Sequence, residues 1–179
     1  MKRNRKPNRL RNYNYSSDNL YFVTSCVQNR ICCFGEIGVG TGRDLSKKQM
    51  ILNEYGKSAE KQWFWLGEKY PYVVLHSFVV MPNHIHGIIE INRSHIDVVG
   101  TGRDLSLPIP LPKIKSLSEI IGAYKTTVSK QIHLCDFTCF SWQRSFYEHI
   151  IRNGKSFATI SNYITNNPGN WELDRFYIG

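Results

Sequence analysis

Residues Ser77–Ile91, SFVVMPNHIHGIIEI, read as strand, tight turn and strand. Phe78, Val79 and Val80 form an aromatic and β-branched run, and Pro82 and Asn83 are turn residues. After the turn, His84-Ile85-His86 leads through Gly87 into a second apolar run. Side chains two apart in a strand share a face, so His84 and His86 project together and Ile85 opposes them. Two imidazoles on one face are half of a metal site. Nitrogen donors suit several divalent metals, and an incomplete protein shell leaves room for substrate oxygens. The plainer alternative is one surface histidine and one hydrogen-bonded in a polar pocket.

Working outward from this hairpin, Tyr72–Val80 is its leading strand, with His76 near the middle. Upstream, Met50–Tyr70 has helical spacing, with Ile51, Tyr55, Ala59, Gln62, Trp63 and Leu66 on one stripe and Pro71 as the stop. Leu20–Gln28, LYFVTSCVQ, is a strand ended by Asn29–Arg30. Downstream, a loop with Pro108, Pro110 and Pro112 runs to about Lys115. Ser116–His133 is a helix with a capping-box spacing from Ser116 to Glu119 and an apolar face of Ile120, Ile121, Tyr124, Val128 and Ile132. Cys139–Ile151 is a loop and then a strand, and Ser156–Asn166 a last helix with Phe157, Ile160 and Ile164 inward, ended at Asn167-Pro168-Gly169. Strand, helix, strand, strand, helix, strand, helix is the order of an α+β chain: a ferredoxin-like split β-α-β sandwich, an antiparallel sheet with helices on one face and a C-terminal helix added. The histidines then lie on a central strand.

The chain has 179 residues, a formal charge of +9, and ten Tyr, nine Phe and four Trp. That suits one domain with an ordinary core and an anionic partner, most simply nucleic acid. Residues 1–19 read as a basic arm, with Lys2, Arg3, Arg5, Lys6, Arg9 and Arg11 placed for phosphates or simply for solvent. Residues 20–179 form the domain, with loop insertions near 39–46 and 92–115. No apolar run is long enough to span a bilayer, and no signal peptide is visible. Cys26, Cys32, Cys33, Cys135 and Cys139 fit no zinc spacing and read as reduced thiols of a cytoplasmic protein. Lys125 and Lys130 can reach phosphates or sit solvated.

VGTGRDLS occurs twice, at Val39–Ser46 and Val99–Ser106. A phosphate-binding glycine turn is one reading, but the P-loop lysine and the strand–helix setting are missing. Identity over eight residues points instead to the DNA. The segment can be encoded as GG-ACA-GGT-CGC-GAC-CTG-TCC, which is its own reverse complement, as expected of a palindromic repeat inserted twice in frame into tolerant loops.

Three ordered strings, VVMPNHIHGIIEI, WQRSFYEH with IIRN, and SNYITNNPGNW, resemble the single-tyrosine HUH transposases of insertion-sequence type, and among them the REP-associated tyrosine transposases. The resemblance spans Tyr21 to Trp171 outside the two repeats. It implies a ferredoxin-like fold that binds a DNA hairpin and nicks adjacent single-stranded DNA through a 5′-phosphotyrosine intermediate. It also implies a divalent cation, Mg²⁺ or Mn²⁺, held by His84 and His86. Tyr163 matches the nucleophile. Asn167, one helical turn on, matches the polar third ligand, with Asn166 as the neighbouring amide. Tyr147 in FYEH is the rival nucleophile. Trp142, Gln143 and Arg144, with Lys125, are expected on the DNA surface. Relatives of this type act as homodimers that exchange the tyrosine helix, whereas a monomer acting in cis is the other arrangement. A catalytically silent protein that binds DNA or RNA hairpins on the same scaffold is the alternative function.

Overall fold

An antiparallel sheet of four strands carries the two histidines near its centre. The computed structural model describes residues 13–39, 48–97 and 113–178. The basic arm to Arg11, all but Val39 of the first VGTGRDLS copy, the whole of the second, and Pro108, Pro110 and Pro112 lie outside the described residues. The elements are β1 (Asn19–Cys26), β2 (Gly35–Val39), β3 (Lys48–Leu52), α1 (Glu54–Lys69), β4 (Val73–Met81), β5 (His84–Ile91), α2 (Ser94–Asp97), α3 (Leu117–Leu134), β6 (Tyr147–Ile151) and α4 (Gly154–Asn166). The sheet order is β4-β5-β1-β6, with every neighbour antiparallel. This is the expected ferredoxin-like topology.

Alternation along β5 sorts its side chains between two cores. Ile85, Ile89 and Ile91 join the main core with Trp63 and Leu66 of α1 and Ile120, Tyr124 and Val128 of α3. Ile88 joins a smaller core on the opposite face, with Ile151 of β6 and Ile164 of α4. The expected apolar face of α3 is fully buried, each aliphatic side chain contributing ~1.5–3 kcal/mol. The capping box is present: Ser116 Oγ accepts from Glu119 N at 3.4 Å, and Glu119 Oε2 accepts from Ser116 N at 2.8 Å. Gly87 has a packing reason. A Cβ there would collide with the indole of Trp63, which stacks on Phe78 at 4.4 Å.

The start of α1 departs from the sequence reading. Met50–Leu52 belongs to β3, which pairs with β2 in a separate hairpin, and Ile51 is 46% exposed rather than inward. Asn53 sets the boundary, because its side chain accepts from Tyr55 N and Gly56 N, both at 3.0 Å. A short run of apolar residues fits either period, and the cap decides. The β2–β3 hairpin and the single turn of α2 were not expected. Among the described residues no helix is long and apolar enough to cross a membrane.

Candidate metal and nucleophile site

His84 and His86 open β5, opposite Cys26 and Thr24 of β1. They point away from the α1–α3 core, and their Nε2 atoms converge at 3.0 Å. Both rings are buried, at 0% and 1% exposure. The turn before them orients the first. Asn83 Nδ2 donates to Arg30 O at 3.2 Å and Phe176 O at 2.9 Å, so Oδ1 faces His84 Nδ1 at 2.8 Å as an acceptor. Nδ1 of His84 therefore carries the proton, and Nε2 presents its lone pair. His86 Nδ1 meets Thr24 Oγ1 at 2.8 Å, and a hydroxyl serves either tautomer.

Burial pushes the His84 imidazole down to about 3, with the Arg175 and Arg30 charges adding to the effect. Burial, and then His84, hold His86 well below its ordinary range. Both rings are neutral at neutral pH, the state in which imidazole ligates metals.

α4 crosses this face of the sheet and brings Tyr163 to the pair. Its hydroxyl lies 3.1 Å from His86 Nε2 and donates to Asp174 Oδ2 at 3.2 Å. Burial and the Asp174 carboxylate push the phenol up to about 12. One turn on, Asn167 is buried, and its Nδ2 donates to the same Asp174 oxygen at 3.0 Å. Its Oδ1 is buried without a hydrogen-bond partner. His84, His86 and Asp174 offer ligand atoms all within 4.8 Å of one another, a group that could hold a metal ion. An orphaned amide oxygen beside two converging imidazole nitrogens and a carboxylate suits a divalent cation.

Several contributors escaped the sequence reading. Asp174 lies in the short segment after α4, where no spacing marks it. Its Oδ1 is fixed by Phe176 N at 2.7 Å. Phe176 covers His84 at 4.6 Å and, with Trp171, Cys26 and Met81, seals that side. Arg175 lies 4.6 Å from the Phe176 ring centroid and 5.5 Å from that of Tyr147. Arg30 approaches Phe176 at 5.4 Å from a left-handed backbone, φ 57°, an uncommon conformation for a non-glycine residue. Asn83 is the one contributor the sequence could have offered, since it directly precedes the His-x-His string.

The other expected residues sort differently. Tyr147 is 41% exposed on the same face, but its ring meets Phe22 at 6.2 Å rather than the histidines. Trp142 is half-buried and packs against Phe34, Phe140 and Tyr124 at the margin of the main core. Lys125 does not reach outward. Its ammonium donates to the carbonyls of Gln143 at 2.7 Å, Ser145 at 3.3 Å and Arg144 at 3.5 Å. Gln143 N donates to Cys26 O at 2.9 Å, which seats this loop beside the histidine strand, and the Arg144 side chain is exposed.

The chain is 37% identical over 180 residues to an uncharacterized protein of Haemophilus influenzae, matching 97% of this chain and 93% of that one. The two proteins belong to one family. No protein-family model matches the chain. Among solved structures, a REP-associated tyrosine transposase bound to a REP hairpin aligns with a TM-score of 0.55 at 18% identity, over 93% of this chain and 76% of that one. The fold is that of a REP-associated tyrosine transposase, as the motif resemblance implied.

Proposed function

We propose that this chain is a metal-dependent transposase that nicks and rejoins single-stranded DNA beside a hairpin, with Tyr163 as nucleophile. The observation that carries the reading is the convergence of the Tyr163 hydroxyl, the facing His84 and His86 nitrogens, the orphaned Asn167 oxygen and Asp174. His84 and His86, with an oxygen from Asn167 or Asp174, would hold Mg²⁺ or Mn²⁺, which supplies charge neutralisation at the scissile phosphate.

The protein's own steps follow from the geometry. Helix α4 and the Asp174 hydrogen bond hold the Tyr163 oxygen in one place, which removes much of the entropic cost of attack. Oη forms a bond to phosphorus as the bond to the 3′ oxygen breaks. The phenol proton passes to the Asp174 carboxylate and from there to the departing 3′ oxygen, so that strand leaves with a 3′-OH and the carboxylate is restored. The product is a 5′-phosphotyrosine diester, and attack on it by a 3′-OH rejoins DNA and restores the phenol. Arg30 and Arg175 add positive charge beside the site for the DNA backbone. Gln143, Arg144 and the arm of Lys2, Arg3, Arg5, Lys6, Arg9 and Arg11 supply further backbone contacts.

The test is a denaturing gel after incubation with Mn²⁺ or Mg²⁺ and single-stranded oligonucleotides carrying hairpins from around the gene. The expected result is a covalent protein–DNA adduct that is lost with chelator and with Tyr163→Phe and retained in Tyr147→Phe. Loss with Tyr147→Phe alone would move the nucleophile to β6. Hairpin binding without any adduct would overturn catalysis and leave a silent hairpin-binding protein.

A further inference from the structure

The duplicated VGTGRDLS contains none of the residues named in the site above. Each copy carries one cation and one anion, Arg43 with Asp44 and Arg103 with Asp104, and neither copy has an aromatic residue. The first begins at Val39, the last residue of β2, which pairs with Lys48, the first of β3. The hairpin ladder from Gly35↔Leu52 to Val39↔Lys48 takes only Val39 from it. The second falls between α2, which ends at Asp97, and Ser116, the cap of α3. His84, His86, Tyr163, Asn167 and Asp174 all sit on other segments. Connections between elements tolerate insertion and sequence change, so position in the chain gives no reason for two identical octapeptides.

The genetic code does give one. In GG-ACA-GGT-CGC-GAC-CTG-TCC, three base pairs of the palindrome join first codon positions once Arg, Leu and Ser are written from their four-codon sets CGN, CTN and TCN. The first base of Thr pairs with that of Ser, the first base of the second Gly with that of Leu, and the first base of Arg with that of Asp. The amino-acid order thus permits a fully self-complementary strand, and codon choice completes it. As a single strand, GGACAGGT pairs with ACCTGTCC around a CGCG loop.

We propose that the DNA hairpin recognised by this protein is the palindrome that residues 40–46 and 100–106 can encode, carried twice in its own gene. The proposal rests on the hairpin-DNA reading above. It names the stem, and it makes the gene itself a substrate when single-stranded.

Two binding measurements with the full chain test it, both by fluorescence anisotropy at one salt concentration. The first compares the GGACAGGTCGCGACCTGTCC hairpin with a hairpin of the same composition whose stem pairs are transposed. The expected result is at least about tenfold tighter binding to the encoded stem, a modest ratio for specific over non-specific DNA binding. The second compares single-stranded gene segments in natural codons and in synonymous codons that abolish the palindrome, with the protein identical in both arms. Recoding should remove the advantage. Equal affinity in either comparison, or natural codons that break the pairing in both copies, would overturn the proposal. An adduct formed on some other hairpin despite equal affinities would overturn this proposal alone, whereas absence of an adduct on every hairpin would overturn the transposase reading.

Discussion

Thr24→Val isolates the support given to one ring of the proposed metal pair. The exchange keeps side-chain shape and removes the hydroxyl that lies 2.8 Å from His86 Nδ1. Thr24 is buried at 2% exposure, so water does not readily replace the lost partner. When His86 Nε2 faces a cation, Nδ1 carries the proton, and in the variant that N–H is buried and unpaired at a cost of ~1–3 kcal/mol. Removing such an outer-shell partner typically weakens metal affinity about 10–100-fold, roughly 1.4–2.7 kcal/mol. The two ranges overlap, as they should if the cost falls on the ligating tautomer. The assay is Mn²⁺ titration by calorimetry on wild type and variant, with circular dichroism to confirm that both are folded. An Mn²⁺ Kd within twofold of wild type would refute the role of Thr24 in orienting His86, and with it the assignment of Nε2 as the ligating atom.

Three further outcomes are expected. Gly87→Ala forces a methyl against Trp63, which is fully buried and stacked on Phe78, so thermal scans should show a loss of ~1–3 kcal/mol, or about 2–4 °C of Tm per kcal/mol; an unchanged Tm would mean that α1 can shift freely. Saturating Mn²⁺ should raise Tm, by about 2.7 kcal/mol of stability at a hundredfold excess over Kd, and chelator should reverse the rise; no shift in wild type beside no shift in the His84→Ala, His86→Ala double variant would remove the metal from the site. Burial pushes the Lys125 ammonium from its ordinary 10.5 down to about 8. Between those values the unfolded chain holds more protons than the folded one, so this group makes stability rise with pH across that window. Urea titrations from pH 8 to 10 should therefore show a steeper rise for wild type than for Lys125→Met, and equal slopes would contradict the shift.

Local pattern by itself determined the strand–turn–strand of 77–91, the shared face of His84 and His86, the capped helix from Ser116, and the i,i+4 pairing of Tyr163 with Asn167. These depend on backbone period and nearest-neighbour hydrogen bonds, which a sequence states directly. The same periodicity misread Met50–Leu52, because a few apolar residues satisfy either spacing until Asn53 commits the chain to start α1.

Tertiary structure alone brought Tyr163 within 3.1 Å of His86, across a separation of 77 residues, and turned Lys125 and Trp142 inward. It also added Asp174, Arg30 and Arg175, none of which belongs to a spaced motif. A site built from β5, α4 and the segment after it depends on which faces the two cores bury. That choice is made by the packing of the whole sheet against helices on both sides, so no short stretch of sequence records it.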